Sequence, residues 1–447
     1  MLDNEFHISR EGQATLVSIV THRLEEHTSE IETERSLKEL QELLRTLGIK
    51  YGSSYIQKRK TIDTATIIGS GKLLDIAQKA KDEGSSLLVF DFELTASQIR
   101  NIKKITKLSV VDRCHIILEI FAEHARTKEA KIQIEISRLQ YLLPRLSGFW
   151  THLSRQKGGV GVKGGEGEQQ IELDRRIVRQ RIEFYKKELK QVIKARTQQK
   201  KKRQNMSTVT AALVGYTNAG KSSLMNRLCR VNILEEDKLF ATLDSTYRVL
   251  NPDTKPNMIL IDTVGFISNL PNTLLEGFKT TMESALEADL IINVVDISDP
   301  NYKKHLEVTK SVLDELGVKD KEQITVFNKK DNFTDPFQRK ILLRSYPNSF
   351  LVSSFDKDDI DQLRKFILDH FLNKQNHYDL FIPYEEGHVH SILMGKSNII
   401  KSLSHEKGIF YRIKLPAFIF EKLGVKDFVL SPTDPLREHF YEELEND

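Results

Sequence analysis

The residues Gly215-Tyr216-Thr217-Asn218-Ala219-Gly220-Lys221-Ser222 form a GxxxxGKS loop. Glycines at these positions let backbone N–H groups wrap phosphates, a lysine here reaches the β and γ phosphates, and the following hydroxyl ligates Mg²⁺. Ser223 is counted with the same phosphate contacts. Further along, Asp262-Thr263-Val264-Gly265 supplies a carboxylate to hold hydrated Mg²⁺ through water and a glycine N–H to face the γ phosphate. Asn328-Lys329-Lys330-Asp331 then selects the base. A carboxylate at Asp331 accepts from guanine N1–H and N2–H₂, whereas adenine has an acceptor at N1 and no 2-amino group. Ser353, Ser354 and Phe355 follow as the turn that backs the base, a weaker signal that a plain strand-end turn would also produce.

Between the first two motifs, Phe240-Ala241-Thr242-Leu243-Asp244-Ser245-Thr246 is polar enough for a mobile switch. Thr242 is read as the threonine that closes on Mg²⁺ and the γ phosphate, with Thr246 as the alternative. Lys221, Thr242 and Gly265 make the catalytic set; Ser222, Thr242 and Asp262 make the metal set. Phe266 stands where many GTPases carry a glutamine that orients water. Phenylalanine cannot do so by hydrogen bonding, so slow intrinsic hydrolysis, accelerated by a partner, is expected; the rival reading makes Phe266 a core residue.

These motifs need strand ends to carry them. Apolar runs at Thr210–Val214, Met258–Ile261, Leu290–Val295, Ile324–Phe327 and Phe350–Val352, separated by helical stretches, give the doubly wound α/β pattern of a P-loop NTPase over residues 206–372. Residues 1–107 also alternate apolar runs with helix-periodic stretches, as a small α/β domain would. Ile132, Ile136, Leu139, Leu143 and Leu146 form one apolar seam, and Ile171, Val178, Ile182, Tyr185, Leu189 and Val192 a second. The expectation is an antiparallel helical hairpin over 108–205, with a glycine-rich tip at 148–168. Its tip carries Arg155, Lys157 and Lys163 beside Phe149 and Trp150, residue types that meet phosphates and stack on unpaired bases. A small α+β domain is expected over 373–447.

Composition limits the rest. The 447 residues, 39% hydrophobic and 29% charged, suit an ordinary globular protein of about three domains. Two cysteines outside any CxxC pair exclude a disulfide framework, and no secretory signal or membrane-spanning run is read. A cytoplasmic protein is expected. The net charge of +4 is too small to argue for nucleic acid by itself. Gly69-Ser70-Gly71-Lys72 lacks the first spaced glycine of a P-loop, and His388 and His390, on one face if in a strand, lack the spacing of a zinc site.

The chain resembles the HflX family of translational GTPases. The resemblance rests on Val111-Asp112-Arg113, Ile117-Leu118-Glu119-Ile120-Phe121-Ala122, Ala125-Arg126-Thr127, Glu135, Leu139-Gln140-Tyr141-Leu142-Leu143-Pro144-Arg145-Leu146, Gly158-Gly159-Val160-Gly161, Glu172, Asp174-Arg175-Arg176 and Phe240-Ala241-Thr242-Leu243-Asp244. It departs at Cys114, usually threonine, at His124, usually arginine, and at the tip segment 162–170. The resemblance implies a Mg²⁺-dependent GTPase that exchanges GTP and GDP, binds the large (50S) ribosomal subunit and 23S rRNA, splits ribosomes under stress, and acts as a monomer on ribosomes or the membrane periphery. Rival readings are a large-subunit assembly GTPase and an RNA-binding or remodelling protein with incidental hydrolysis.

Overall fold

The structure is a computed structural model that describes residues 8, 10, 12–22, 27–148, 166–204, 209–230, 239–240, 242–243, 245–252, 257–268, 282, 288–318, 321–373, 375–431, 434 and 440–441. The tip residues Phe149, Trp150, Arg155, Lys157 and Lys163 lie outside them. Two compact units emerge. The first comprises Met1–Ile193 with Glu236–Asp244 and Ile267–Thr281; the second comprises Lys194–Glu235, Ser245–Phe266 and Met282–Asp447.

In the first unit, β1 (Gln13–Val20), β2 (Lys50–Lys58), β3 (Ser85–Phe90) and β4 (Ser109–Asp112) form a parallel sheet in the order β2-β1-β3-β4. The central strand β1 is buried through its middle because helices cover both faces of a parallel sheet. Val17, Ile19, Leu88 and Phe90 pack with Leu73, Ile76 and Ile102 from the helices α2 (Ser70–Asp82) and α3 (Ala96–Thr106), which follow α1 (Glu30–Thr46). β4 lies past the boundary expected at residue 107, so the sheet takes its last strand from the segment read as the start of the hairpin.

The first arm of that hairpin is not one helix. α4 (Arg113–His124) ends at Ala125, whose extended backbone breaks the run, and Thr127 caps α5 (Lys128–Leu142) by accepting from Ala130 N–H at 3.2 Å. The seam residues Ile132, Ile136, Leu139 and Leu146 are buried as expected. The second arm, α6 (Glu166–Gln204), buries Val178 and Ile182. Lys128 at the start of α5 pairs with Glu188 of α6 at 2.7 Å, joining the two arms there.

Asp112 ties sheet to hairpin. It caps α4 through His115 N–H at 2.9 Å, accepts from Leu94 N–H at 3.0 Å and from the Tyr141 hydroxyl at 2.9 Å, and faces Arg145 at 3.5 Å. Arg145 lies over the Tyr141 ring, 3.5 Å from its centroid, and donates to the carbonyls of Leu94 and Tyr141. Burial pushes the Asp112 carboxyl above its ordinary range, opposed by the Arg145 charge.

The second unit holds a six-stranded sheet in the order β10-β9-β8-β5-β7-β6: β5 (Val209–Gly215), β6 (Thr246–Asn251), β7 (Met258–Asp262), β8 (Leu290–Asp296), β9 (Gln323–Asn328) and β10 (Ser349–Leu351). Among the described strands of this sheet only β6 runs antiparallel. Its helices are α7 (Lys221–Cys229), α8 (Tyr302–Glu315), α9 (Pro336–Ser345) and α10 (Lys357–Asn373). The C-terminal segment adds a three-stranded antiparallel sheet of β11 (Gln375–Pro383), β13 (Gly408–Pro416) and β12 (Asn398–His405), with helices α11 (Gly387–Lys396) and α12 (Ala417–Leu423). One core runs from Leu213 and Leu224 through Leu363 and Phe371 to Leu380, Ile413 and Phe420, continuous across the boundary expected at residue 373. His388 and His390 sit on helix α11, where a spacing of two directs side chains to different sides. His390 is engaged by Tyr411 Oη at 3.0 Å and the Pro383 carbonyl at 3.1 Å, and no group of metal ligands occurs among the described residues.

Candidate functional site

The central strand β5 is bordered by β7 on one side and β8 on the other, so the connections leave its C-terminal end in opposite directions and open a crevice there. The phosphate loop Gly215–Gly220 occupies that end. Gly220 adopts φ +87°, and a Cβ there would stand 2.3 Å from Asn328 Nδ2, so only glycine fits. It caps α7 without a side-chain bond, leaving the first N–H groups of that helix for an anion.

Lys221 begins α7 and is buried, its Nζ donating to the carbonyls of Gly215 at 3.1 Å and Tyr216 at 2.8 Å. Burial lowers its pKa to about 8, with Asp262 pulling the other way. Ser222 Oγ donates to Asp262 Oδ2 at 2.7 Å at the end of β7. Thr263 turns its hydroxyl to the Leu213 carbonyl at 2.6 Å, fastening the DxxG turn to β5, and Val264 is buried beside it. Gly265 lies so near the loop that a Cβ would meet Thr217 Cα at 2.8 Å and Lys221 Nζ at 2.9 Å. Asn218 is exposed at φ +58°, Ala219 is buried, and Ser223 is half-buried on α7.

Base-side residues come from neighbouring strand ends. Asn328, ending β9, donates from Nδ2 to the Ala219 carbonyl at 3.0 Å and accepts at Oδ1 from Ser354 N–H and Oγ–H at 3.2 and 2.9 Å. Ser353 Oγ donates to Asp331 Oδ1 at 2.6 Å, which orients the carboxylate. Lys329 takes a left-handed backbone and pairs with Asp296 at 2.7 Å. Phe355 is 77% exposed, its N–H held by Ser353 Oγ. Two acids went unread in the sequence: Asp296, and Asp359, which accepts from Ser353 N–H at 2.8 Å and pairs with Lys330 at 2.6 Å. An acid ending a buried strand and an acid in a helix's first turn were the available signals.

The switch threonines separate. Thr242 falls in the first unit and is half-buried. Thr246 begins β6 opposite Asp262, and its hydroxyl faces Met225 Sδ at 3.7 Å. Phe266 is 1% exposed, so its side chain is a core group.

A doubly wound sheet whose central strand feeds a GxxxxGKS loop, with an aspartate at the adjoining strand end and an NKxD turn beside it, defines a P-loop GTPase. Residues 210–329 match the family described as 50S ribosome-binding GTPase, residues 34–122 that described as GTP-binding GTPase N-terminal, and residues 124–203 that described as GTP-binding GTPase Middle Region. The chain is 39% identical to a GTPase HflX of Alkalihalophilus pseudofirmus, over 80% of this chain and 84% of that one. It is 36% identical to a GTPase HflX of Caldanaerobacter subterraneus subsp. tengcongensis, over 94% of each. A crystal structure of a GTP-binding protein from Sulfolobus solfataricus in complex with GDP aligns at 25% identity and TM-score 0.42, over 80% of this chain and 98% of that one. The chain belongs to the GTPase HflX family.

Proposed function

We propose that GTP binding and hydrolysis at this site govern docking on the large ribosomal subunit, so that the GTP state docks and splits the ribosome under stress and hydrolysis releases the protein. The observation that carries this is one chain joining the match to a 50S ribosome-binding GTPase over 210–329 to the long helix α6, which leads directly from the glycine-rich segment read as an RNA probe. Docking through 23S rRNA at that tip follows from its basic and aromatic residues.

In this reading Lys221 draws the β and γ phosphates into the loop while N–H groups of the loop and α7 donate to their oxygens. Asp331 takes guanine N1–H and N2–H₂, held in line by Ser353. Ser222 and Asp262 present adjacent hard oxygen donors and would hold Mg²⁺, Asp262 through water, with Thr242 as the closing ligand. When bound, Mg²⁺ neutralises charge on the β and γ phosphates. Gly265 offers its N–H to the γ phosphate, and Phe266, unable to align water, leaves turnover slow until a partner reorders the site.

The test is GTP hydrolysis by the protein alone, with purified large subunits and with small subunits, alongside Lys221→Ala. A low basal rate raised strongly by large subunits alone is expected. An unchanged rate with every particle rejects the ribosome-docking switch.

A further inference from the structure

The turn Asn328-Lys329-Lys330-Asp331 sets two ammonium groups within two residues of the Asp331 carboxylate. Lysine is a compact cation on a flexible stem, and an unheld one beside Asp331 would compete with a base for that carboxylate. Both lysines are held elsewhere. Lys329 pairs with Asp296 Oδ2 at 2.7 Å, while Oδ1 of the same acid accepts from Ser298 N–H and Oγ–H at 2.9 and 2.6 Å. Lys330 pairs at 2.6 Å with Asp359, in the first turn of α10.

Asp359 holds a second group. It accepts from Ser353 N–H at 2.8 Å, and Ser353 Oγ in turn donates to Asp331 Oδ1 at 2.6 Å. The backbone ties the same two turns together, the Lys330 N–H donating to the Val352 carbonyl at 3.1 Å. Asp356 also faces Lys330, but at 3.7 Å and with 44% of its side chain exposed, where water screens the attraction. Asp359, 13% exposed, is the closer and drier partner. Asp331 itself is exposed and open to a base.

We propose that Asp359 is a positioning residue for guanine: it draws the Lys330 ammonium off Asp331 and holds Ser353, the residue that orients the Asp331 carboxylate. This rests on the reading of Asp331 as the guanine acceptor. A hydrogen bond between two ionised groups is stronger than one from a neutral donor, so an ammonium released next to Asp331 in sequence outcompetes the 2-amino group of the base. Asp359 therefore sets how much that 2-amino group adds to binding, acting through Lys330 and Ser353. Asp296 does the corresponding work for Lys329 from the end of β8.

Equilibrium binding of GDP and of inosine diphosphate, which lacks the 2-amino group, to the full chain tests it. In Asp359→Asn the new side chain fills the same space and still accepts from Ser353 N–H, so the fold is expected to stand while the hold on Lys330 is lost. The preference for GDP over inosine diphosphate is expected to fall about tenfold, and Lys330→Met added to Asp359→Asn is expected to restore most of it. A merely structural loss would weaken both nucleotides alike and gain nothing from the second substitution. An unchanged preference in Asp359→Asn, or a fall that Lys330→Met does not reverse, overturns the role of Asp359 alone. A wild type that binds both nucleotides equally, or an Asp331→Ala variant that keeps the preference for GDP, overturns the reading of Asp331 and this inference with it.

Discussion

Asn328 reaches across 109 residues of chain to donate its amide to the Ala219 carbonyl at 3.0 Å, joining the base-recognition turn to the phosphate loop. The same side chain accepts twice from Ser354. One buried amide therefore sets the distance between the two ends of the nucleotide site.

Asn328→Ala removes these bonds and leaves the Ala219 carbonyl and Ser354 N–H without their partner, at roughly 1–3 kcal/mol of stability. Weaker binding of both GDP and GTP is expected, since both ends of the site shift. Thermal unfolding and nucleotide titration read the two effects; a variant that binds both nucleotides as the wild type does contradicts the linking role.

Asp331→Asn converts one acceptor oxygen into a donor. Guanine then meets a donor at its 2-amino group, whereas xanthine, with an oxygen there, finds a partner. A fall in GTP affinity of about 100-fold or more, with a gain for XTP, is expected from a site built on hydrogen bonds. Competition between the two nucleotides for the variant measures it, and retained preference for GTP rejects the assignment of Asp331.

Lys221 confers a pH dependence. Its pKa in the folded, nucleotide-free chain is about 8 against an ordinary 10.5, so within that window the unfolded chain binds more protons. Stability therefore rises with pH from about 8 to about 10.5, and the cost of burying the charge is fully present below about 8. Phosphate restores the charged form, so nucleotide binding takes up protons above about pH 8 and weakens as pH rises. Lys221→Met removes both trends; parallel pH slopes for the two proteins in thermal unfolding would show that this lysine is not their source.

In the first unit, Arg145→Leu strips the counter-charge from buried Asp112 along with the bonds to Leu94 and Tyr141. Breaking one side of a buried pair costs about 3–5 kcal/mol. Urea unfolding should show a loss of that size, and Tyr141→Phe, which deletes a single hydroxyl bond to Asp112, a smaller one of about 1 kcal/mol. Equal stability of Arg145→Leu and wild type would dissociate the network from the fold.

The phosphate loop, DxxG and NKxD were legible because each works over a few consecutive residues, and strand–turn–helix patterning around them is local. The break at Ala125 was not: no glycine or proline stands there, and only the Thr127 cap marks the stop. β4 escaped because four residues, Ser109–Asp112, are too short for a periodic signal, and only their pairing with β3 makes them a strand. His388 and His390 showed the same weakness, since a spacing of two means one thing in a strand and another in helix α11.

What the sequence determined by itself was the chemistry: a loop for phosphates, a carboxylate for the base, and a phenylalanine where many GTPases orient water. Tertiary structure alone decided which of these groups touch. Asp331 with Ser353, Asn328 with Ala219, and Phe266 with Gly215 and Thr217 are partners only because the parallel sheet brings strand ends distant in sequence to one edge. Side-chain type is encoded residue by residue, but pairing across a sheet depends on strand order and register, which arise from packing of the whole domain.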